Sequence, residues 1–541
     1  MSSQLTILPD GITVTLEEGE NLLDGIRRAD GLRFEAPCNG RGMCGKCRVR
    51  IKDGDVLPAG EGEKSRLSDE ERTAGWRLAC LTVPARDGET VTISLPEKEE
   101  KAVVLAEADY HQEVRRALFT AENGPGVGIA VDIGTTTVAA VLLDLTDGRT
   151  LARTSAVNPQ THIGGDVLSR IVYTMNEANG LAYCQKLIVD ELNAMTQRLL
   201  TEAGRPVSEL AGYSIAANCT MLHLLLGVDP TPLSRAPFTP VFTEGREMPA
   251  SAIGLCPENP KAGLYCLPSV SAYIGADIVA GIHMSGIAHT DKNIMFIDIG
   301  TNGEIVLSKK GSLYACSCAA GPAMEGMNIA CGMRAAEGAV ESVSYKDGDL
   351  TVGVIGDTDA VGICGSGVLE TVAALLRAHA VTTSGRIDMK NTRIPDRMYT
   401  REREKGVILV GGDKEIRFSQ ADVRQIQLAK GAILSGFKAL VEKSGLTFDD
   451  LDIVMIAGQF GSHLKAETLA DIGILPGETR DRVVYIGNSS LAGAISVFLD
   501  SSLKAVYEEL RQSVDYMELG TYPGYNDLFM ACLNFPDPEA V

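Results

Sequence analysis

Apolar and polar positions alternate at the start of the chain. The stretch "LTILPDGITVTLEEGENLLDGIRRADG" reads as strand, turn, strand, then a helix whose apolar stripe is Leu22, Leu23 and Ile26. "CRVRIKDGDV" and "ETVTISLP" alternate as half-buried strands do. Residues 1–97 therefore read as one small domain. Residues 98–125 are charged, end in Gly-Pro and read as a linker. From Gly126 the apolar runs lengthen. "GVGIAVDIGTTTVAAVLLDL" is a strand, a Gly-Thr turn and a second strand, and "NIMFIDIGTNGEIVLS" repeats that design. "AYCQKLIVDELNAMTQRLLTEAG" and "SQADVRQIQLAKGAILSGFKALVEKSG" carry apolar residues at helical spacing, the second with Ser419 as N-cap and Asp422 three residues on. The pattern predicts an α/β body, 126–541, of two similar lobes, roughly 126–290 and 291–541.

Composition narrows the classes. A chain of 541 residues exceeds one core. Its formal net charge of −21 argues against a nucleic-acid binder, which needs clustered cations. No long uninterrupted apolar run predicts a membrane span. The first residues lack the basic and apolar regions of a secretion signal. The thirteen cysteines are spread as free thiols would be in a reducing cytoplasm, the expected compartment. The seven histidines are dispersed and mark no metal site.

Four of those cysteines change the picture. Cys38, Cys44 and Cys47 lie in the Gly-rich loop "APCNGRGMCGKC", and Cys80 follows in "WRLACLTV". A two-iron, two-sulfide cluster takes four thiolates, three from one tight loop and one from elsewhere. A zinc site or a disulfide pair are the alternatives, but zinc usually takes two separated C-x2-C knuckles, and Cys80 has no neighbour in sequence. This loop resembles that of ferredoxins with the C-x5-C-x2-C spacing. Over residues 1–97 the resemblance implies a β-grasp fold holding a [2Fe-2S] cluster.

The repeated Asp-x-Gly-Thr points to phosphate. A Gly-Thr hairpin offers N–H and hydroxyl groups to phosphate oxygens, and an aspartate at the strand end can hold Mg²⁺ through water. The candidates are Asp132 with Gly134, Thr135 and Thr136, and Asp298 with Gly300, Thr301 and Asn302. In "DIVMIAGQFGSHL" a buried strand enters the turn Gly458, Gln459, Phe460, Gly461, where an adenine ring could lie on the backbone. Together these segments resemble the two phosphate motifs and the adenosine motif of the sugar kinase, Hsp70 and actin superfamily. That implies two ribonuclease-H-like lobes around an ATP cleft. Asp166 in "GGDVLSR" is a candidate for positioning the attacking water, or simply a helix N-cap. The Gly-rich turn of "VGICGSGVLETVAALL" could face an anion or serve helix packing.

"NPQTHIGGDVLSRI", "SCAAGPAMEGMNIACGMRAAEGAVESV", "FSQADVRQIQLAKGAI" and "IGNSSLAGA" complete the pattern. With the ferredoxin-like start, the chain resembles the reductive activators of corrinoid-dependent methyltransferases. The resemblance implies ATP-dependent transfer of one electron from the [2Fe-2S] cluster to inactive Co(II) of a corrinoid protein, regenerating Co(I). The implied cofactors are the cluster, ATP and Mg²⁺. The implied partners are a corrinoid protein and an upstream electron donor, with no nucleic acid or membrane and with a homodimer left open. Within that reading the loop 316–327 is expected to face the corrin, with Ser317 as an oxygen contact to cobalt. The Cys316/Cys318 pair is expected to be buried packing. Longer relatives are expected to carry a further domain where this chain has only 98–125. A small-molecule kinase with an accessory ferredoxin, and an electron carrier that merely binds nucleotide, are the competing functions.

Overall fold

The structure is a computed structural model. It describes residues 3–9, 11–17, 19–29, 34, 47–64, 67, 69–86, 88–95 and 113–538, apart from 165, 301, 327, 402, 403, 413, 414, 459, 460, 462 and 463. The chain divides into two compact units, Met1–Val103 and Val104–Val541.

The first unit is a five-stranded mixed sheet in the order β2-β1-β5-β3-β4. Its strands are β1 (Ser3–Leu8), β2 (Ile12–Leu16), β3 (Arg48–Asp53), β4 (Trp76–Leu78) and β5 (Thr90–Ser94), and β1 runs parallel to β5. Helix α1 (Leu22–Arg27) is capped by Asn21 and buries Leu22, Leu23 and Ile26 against Leu5, Ile7, Val91 and Ile93. One helix laid on a mixed sheet is the β-grasp arrangement. Two short helices, α2 (Glu61–Lys64) and α3 (Asp69–Thr73), lie between β3 and β4.

The second unit contains two sheets of one design. The first has β6 (Val127–Ile133), β7 (Thr137–Asp144) and β8 (Thr150–Val157) antiparallel. On the other side of β6 lie β9 (Leu210–Ala217) and β11 (Gly263–Cys266), parallel to it, with β10 (Arg246–Pro249) at the edge. Helices α4 (Val167–Asn176), α5 (Gly180–Glu202) and α6 (Cys219–Leu226) fill the crossovers, and α7 (Ala276–Ser285) leads out.

The second sheet repeats this around β12 (Asn293–Ile299). Strands β13 (Gly303–Lys309) and β14 (Ser312–Cys318) are antiparallel on one side, while β21 (Ile453–Ala457) and β22 (Val483–Gly487) are parallel on the other. Between them the chain builds a small sheet of β15 (Ala339–Lys346), β16 (Asp349–Val354) and β17 (Gly362–Ile363), then α8 (Gly365–Arg377). A second small sheet follows, of β18 (Met398–Arg401), β19 (Glu404–Val410) and β20 (Ile416–Ser419). Helix α9 (Gln420–Ser444) starts with the expected capping box of Ser419 and Asp422. Helices α10 (Ala466–Asp471), α11 (Ser489–Leu499) and α12 (Leu503–Ser513), the short β23 (Asp515–Tyr516) and α13 (Tyr525–Ala531) complete the chain.

Helix α11 follows the second sheet in sequence but packs on the first. Ser214 of β9 donates its hydroxyl to the Ala494 carbonyl at 2.5 Å. A Cβ on Gly493 would stand 2.4 Å from that of Ala280, so only glycine lets α11 cross α7 so closely. The two helices bind the lobes where they meet.

The expected linker is shorter than its charge pattern predicts. The N–H groups of Arg115 and Arg116 donate to the Leu499 carbonyl, and that of Leu118 to Phe498. Phe119 lies edge-on to Phe498, centroids 6.0 Å apart. Leu118 and Phe119, two apolar residues in a charged stretch, secure residues 113–125 to the second unit.

Candidate functional site

In the first unit the pairing of β3 with β4 brings Cys47 and Cys80 together, their sulfurs 3.2 Å apart. Both are buried. Glu63 of α2 organises this end. Its carboxylate accepts from Arg77 Nε at 2.9 Å and Nη2 at 2.6 Å, from the Leu78 amide at 2.9 Å and from the Thr82 hydroxyl at 3.2 Å. Burial alone would raise the Glu63 pKa, but these donors outweigh it and hold the group ionised. The turn carrying Cys80 is thus fixed by a buried ion pair.

The Cys80 thiol, against the opposing effect of burial and helped by the N–H groups of Cys80, Cys47 and Ala79, brings the Cys47 thiol down to about 6. A sulfur drawn toward thiolate among backbone donors suits an iron ligand. Cys47 and Cys80 therefore fit the expected [2Fe-2S] cluster. The other two expected ligands, Cys38 and Cys44, lie outside the described residues.

In the second unit the two hairpins stand at the ends of equivalent central strands. Asp132 on β6 faces Ala139 on β7 and Ala216 on β9. Asp298 on β12 faces Glu304 on β13 and Ala457 on β21. The first turn is closed by the Gly134 amide on the Thr137 carbonyl, and the second by that of Gly300 on Asn302, each at 2.9 Å. The second is one residue tighter, because Ile299 pairs with Gly303 whereas Ile133 pairs with Val138.

The aspartates belong to one half-buried acidic cluster. Asp132 accepts from Asn488 Nδ2 at 2.8 Å and from the Ser490 hydroxyl at 2.7 Å, both at the start of α11. Burial nevertheless raises its pKa. Burial, then the charges of Asp132 and Glu325, push Asp298 up to about 7. Burial, then Asp298 and Asp132, do the same to Asp277, the second residue of α7. Burial, Asp277 and Asp298 hold Glu304 well above the usual carboxylate range. Carboxylates so crowded call for a cation. Among the described residues no three such groups are arranged as a ready-made metal-ligand set. Mg²⁺, which keeps most of its waters and meets carboxylates through them, suits this looser arrangement.

Gly458, at φ +87°, follows β21, and a Cβ there would stand 2.5 Å from Asp298 Oδ1. The adenosine turn therefore approaches the second aspartate on bare backbone. Gly461 is buried beside it. Gln459, Phe460 and Thr301 lie outside the described residues.

Three expectations are adjusted. Asp166 is exposed and caps α4, its Oδ1 accepting the Ser169 amide at 2.8 Å, and no interaction joins it to the acidic cluster. Ser317 belongs to strand β14, not to a loop, and pairs with Glu304, to which its hydroxyl donates at 3.2 Å. The apolar alternation of "SLYACSC" explains this, and it also buries Cys316 and Cys318 as expected. The turn at Gly365 serves packing, since Ser366 donates to the Glu341 carbonyl at 3.0 Å and α8 is buried along most of its length. Sequence reasoning missed Asp277, Glu304 and Glu325. The one available signal was "TNGE", an acid two residues past a phosphate turn.

Two lobes of ribonuclease-H-like topology, each presenting an aspartate and a glycine-led hairpin to a shared cleft, define a nucleotide-hydrolysing body of the actin, Hsp70 and sugar kinase type. Comparison with known proteins agrees. The C-terminal domain of RACo, the ASKHA domain, matches residues 292–540, the RACo middle region 127–290, and the 2Fe-2S iron-sulfur cluster binding domain 5–85. The corrinoid activation enzyme RamQ of Eubacterium limosum is 32% identical over 425 residues, covering 76% of this chain and 71% of the relative. The reductase of the Co(II) methylated-amine-specific corrinoid protein of Methanosarcina barkeri is 25% identical over 440 residues, covering 75% and 77%. A solved reductive activator for a corrinoid, iron-sulfur protein superposes with a TM-score of 0.72 at 30% identity, covering 99% of this chain and 98% of that one. The chain belongs to the family of reductive activators of corrinoid proteins. The middle region of that family coincides with the first lobe.

Proposed function

We propose that this chain reactivates a corrinoid protein by delivering one electron to its oxidised Co(II), giving Co(I), in a step made possible by ATP. The observation that carries the reading is the union in one chain of a paired, buried Cys47/Cys80 site with a two-hairpin ATPase cleft. Cys38, Cys44, Cys47 and Cys80 would hold the [2Fe-2S] cluster, which would supply the electron when reduced, near roughly −400 mV for plant-type clusters. Reduction of Co(II) from that level is expected to be uphill, because Co(I) is a strong reductant.

ATP acts on the other side of the balance. Its phosphates take the N–H and hydroxyl groups of Gly134, Thr135, Thr136, Gly300, Thr301 and Asn302. Asp132 and Asp298 would hold Mg²⁺, and the turn 458–461 would take the adenine. Closure of the lobes about α7 and α11 favours a partner state with weakly ligated Co(II), which raises the cobalt potential by linkage. Hydrolysis releases that state. The upstream electron donor is a separate carrier.

The test is anaerobic. The reduced protein is mixed with a Co(II) corrinoid protein, with and without ATP, and ADP release is followed in the presence of sugars. A Co(I) absorption band that grows only with ATP is expected. Sugar-dependent ADP release with no band would favour the kinase. A band that grows equally without ATP would favour the plain electron carrier.

A further inference from the structure

The segment "NPQTHIGGDVLSR" lies outside the two phosphate motifs, yet it supplies two side chains that grip the first of them. Asn158 Nδ2 donates to the Gly134 carbonyl at 2.8 Å. Arg170 Nη2 donates to the Thr135 carbonyl at 2.5 Å. A trans peptide is planar, with its C=O and the following N–H pointing in opposite directions. Pulling the Gly134 and Thr135 carbonyls toward Asn158 and Arg170 therefore turns the Thr135 and Thr136 N–H groups the other way. Neither N–H finds an acceptor among the described residues. Asn218 Nδ2 donates to the Thr135 hydroxyl at 3.1 Å, which leaves that O–H free to donate onward.

Arg170 is also unusual in its charge. It is fully buried and forms no ion pair with a carboxylate of the described residues; Asp166, the N-cap of its own helix, acts on it through its charge alone. Its remaining contacts are the Gly164 carbonyl at 3.0 Å, Gln160 Oε1 at 3.2 Å and Met221 Sδ at 3.3 Å. Burial draws the guanidinium down to about 10, so it stays protonated at neutral pH. A buried cation is costly unless an anion answers it. The acidic cluster does not do so, because its charges lie on other strands and helices and none is in contact with Arg170. The anion that meets this hairpin is the nucleotide's phosphate chain.

We infer that Arg170 and Asn158 are positioning residues, which aim the amides of the first hairpin at the phosphates and place a buried positive charge behind them. The assignment rests on the nucleotide reading of the cleft given above. It predicts a loss confined to the phosphates, which a general loosening of the lobe would not give.

The experiment is equilibrium binding of Mg·ATP, and separately of adenosine, to the full-length protein carrying Arg170→Gln, Arg170→Lys or Asn158→Ala. Arg170→Gln is expected to weaken ATP by about tenfold or more while adenosine changes by less than about twofold, a tenfold change being about 1.4 kcal/mol. Arg170→Lys, which keeps the charge but loses the fork, is expected to fall between. Should Arg170→Gln not fold, Arg170→Lys and Asn158→Ala read the same ratio. Unchanged ATP affinity in the folded variants, or equal weakening of ATP and adenosine, would overturn the assignment. A wild-type protein that binds no ATP overturns the reading of the cleft itself, and the assignment with it.

Discussion

The two lobes share a strand order, yet they present their aspartates in opposite surroundings. In the first, Asp132 has an alanine across each neighbouring strand and two donors, Asn488 and Ser490, on its carboxylate. Its hairpin is braced from behind by Asn158, Arg170 and Asn218. In the second, Asp298 stands opposite Glu304, which stands opposite Ser317. Like charges directly across a ladder are destabilising. The first aspartate is therefore met by neutral donors, while the second faces another carboxylate across its ladder, a tension that a cation relieves. One topology thus carries its aspartate opposite alanines on one side and opposite a carboxylate on the other.

That contrast is broken most sharply at the aspartates. Asp298→Asn and Asp132→Asn are each expected to slow ATP hydrolysis by on the order of 100-fold, about 2.7 kcal/mol of barrier. Their stabilities should diverge. Without ligand, Asp298→Asn removes repulsion and should melt no lower than wild type. Asp132→Asn leaves Asn488 or Ser490 without its acceptor and should melt lower. Steady-state ADP release and thermal melts read both, and equal melting shifts would erase the distinction.

Next comes the pH dependence. Asp277 and Asp298 have folded pKa values raised from 3.8 to about 7. The folded protein then holds extra protons between those values, so their stabilising balance is intact below about pH 4 and is lost as pH rises toward 7. Asp277→Asn should accordingly stabilise the metal-free protein by ~3 kcal/mol at pH 8 and by little at pH 4. Melts across that range, without Mg²⁺ or nucleotide, check the sign, and an effect larger in acid would contradict it.

The junction of the lobes comes third. Gly493→Ala forces a methyl against Ala280 where α11 crosses α7. It should cost ~1–3 kcal/mol in stability and loosen the dependence of cobalt reduction on ATP. Calorimetry and the anaerobic assay measure the two parts, and a variant unchanged in both would mean the crossing tolerates an added methyl. The smallest effect is expected from Ser317→Ala, which removes one hydrogen bond to Glu304, ~1 kcal/mol. It should alter ATP turnover slightly. If Co(I) formation per ATP falls while turnover is unchanged, a cobalt contact is the better account of Ser317.

Much of this was legible in the chain. The strand periods, the repeated Asp-x-Gly-Thr and the Cys spacing predict both units, because local pattern and chemistry coincide at those places. The capping box at Ser419 was readable for the same reason. The end of the linker was not, since two apolar residues weigh little against a charged stretch and their slot is built from distant strands. Asp277, Glu304 and Arg170 were also hidden. Asp277 joins the cluster from the first turn of α7, Glu304 only through register, and Arg170 only by lying behind a turn that precedes it by 35 positions. Asp166 and Ser317 were chosen for their residue types, and the structure places the first at the N-cap of α4 and the second on β14 opposite Glu304.

In the proposed mechanism the two-hairpin cleft makes electron delivery to cobalt depend on Mg·ATP. The direct measurement is stopped-flow reduction of a Co(II) corrinoid protein by the reduced activator, wild type against Asp298→Asn, with and without Mg·ATP. A Co(I) band is expected from wild type with Mg·ATP, none without it, and one growing on the order of 100-fold more slowly from Asp298→Asn with Mg·ATP, although both proteins show the same reduced-cluster spectrum. A Co(I) band of equal rate from Asp298→Asn would contradict that mechanism.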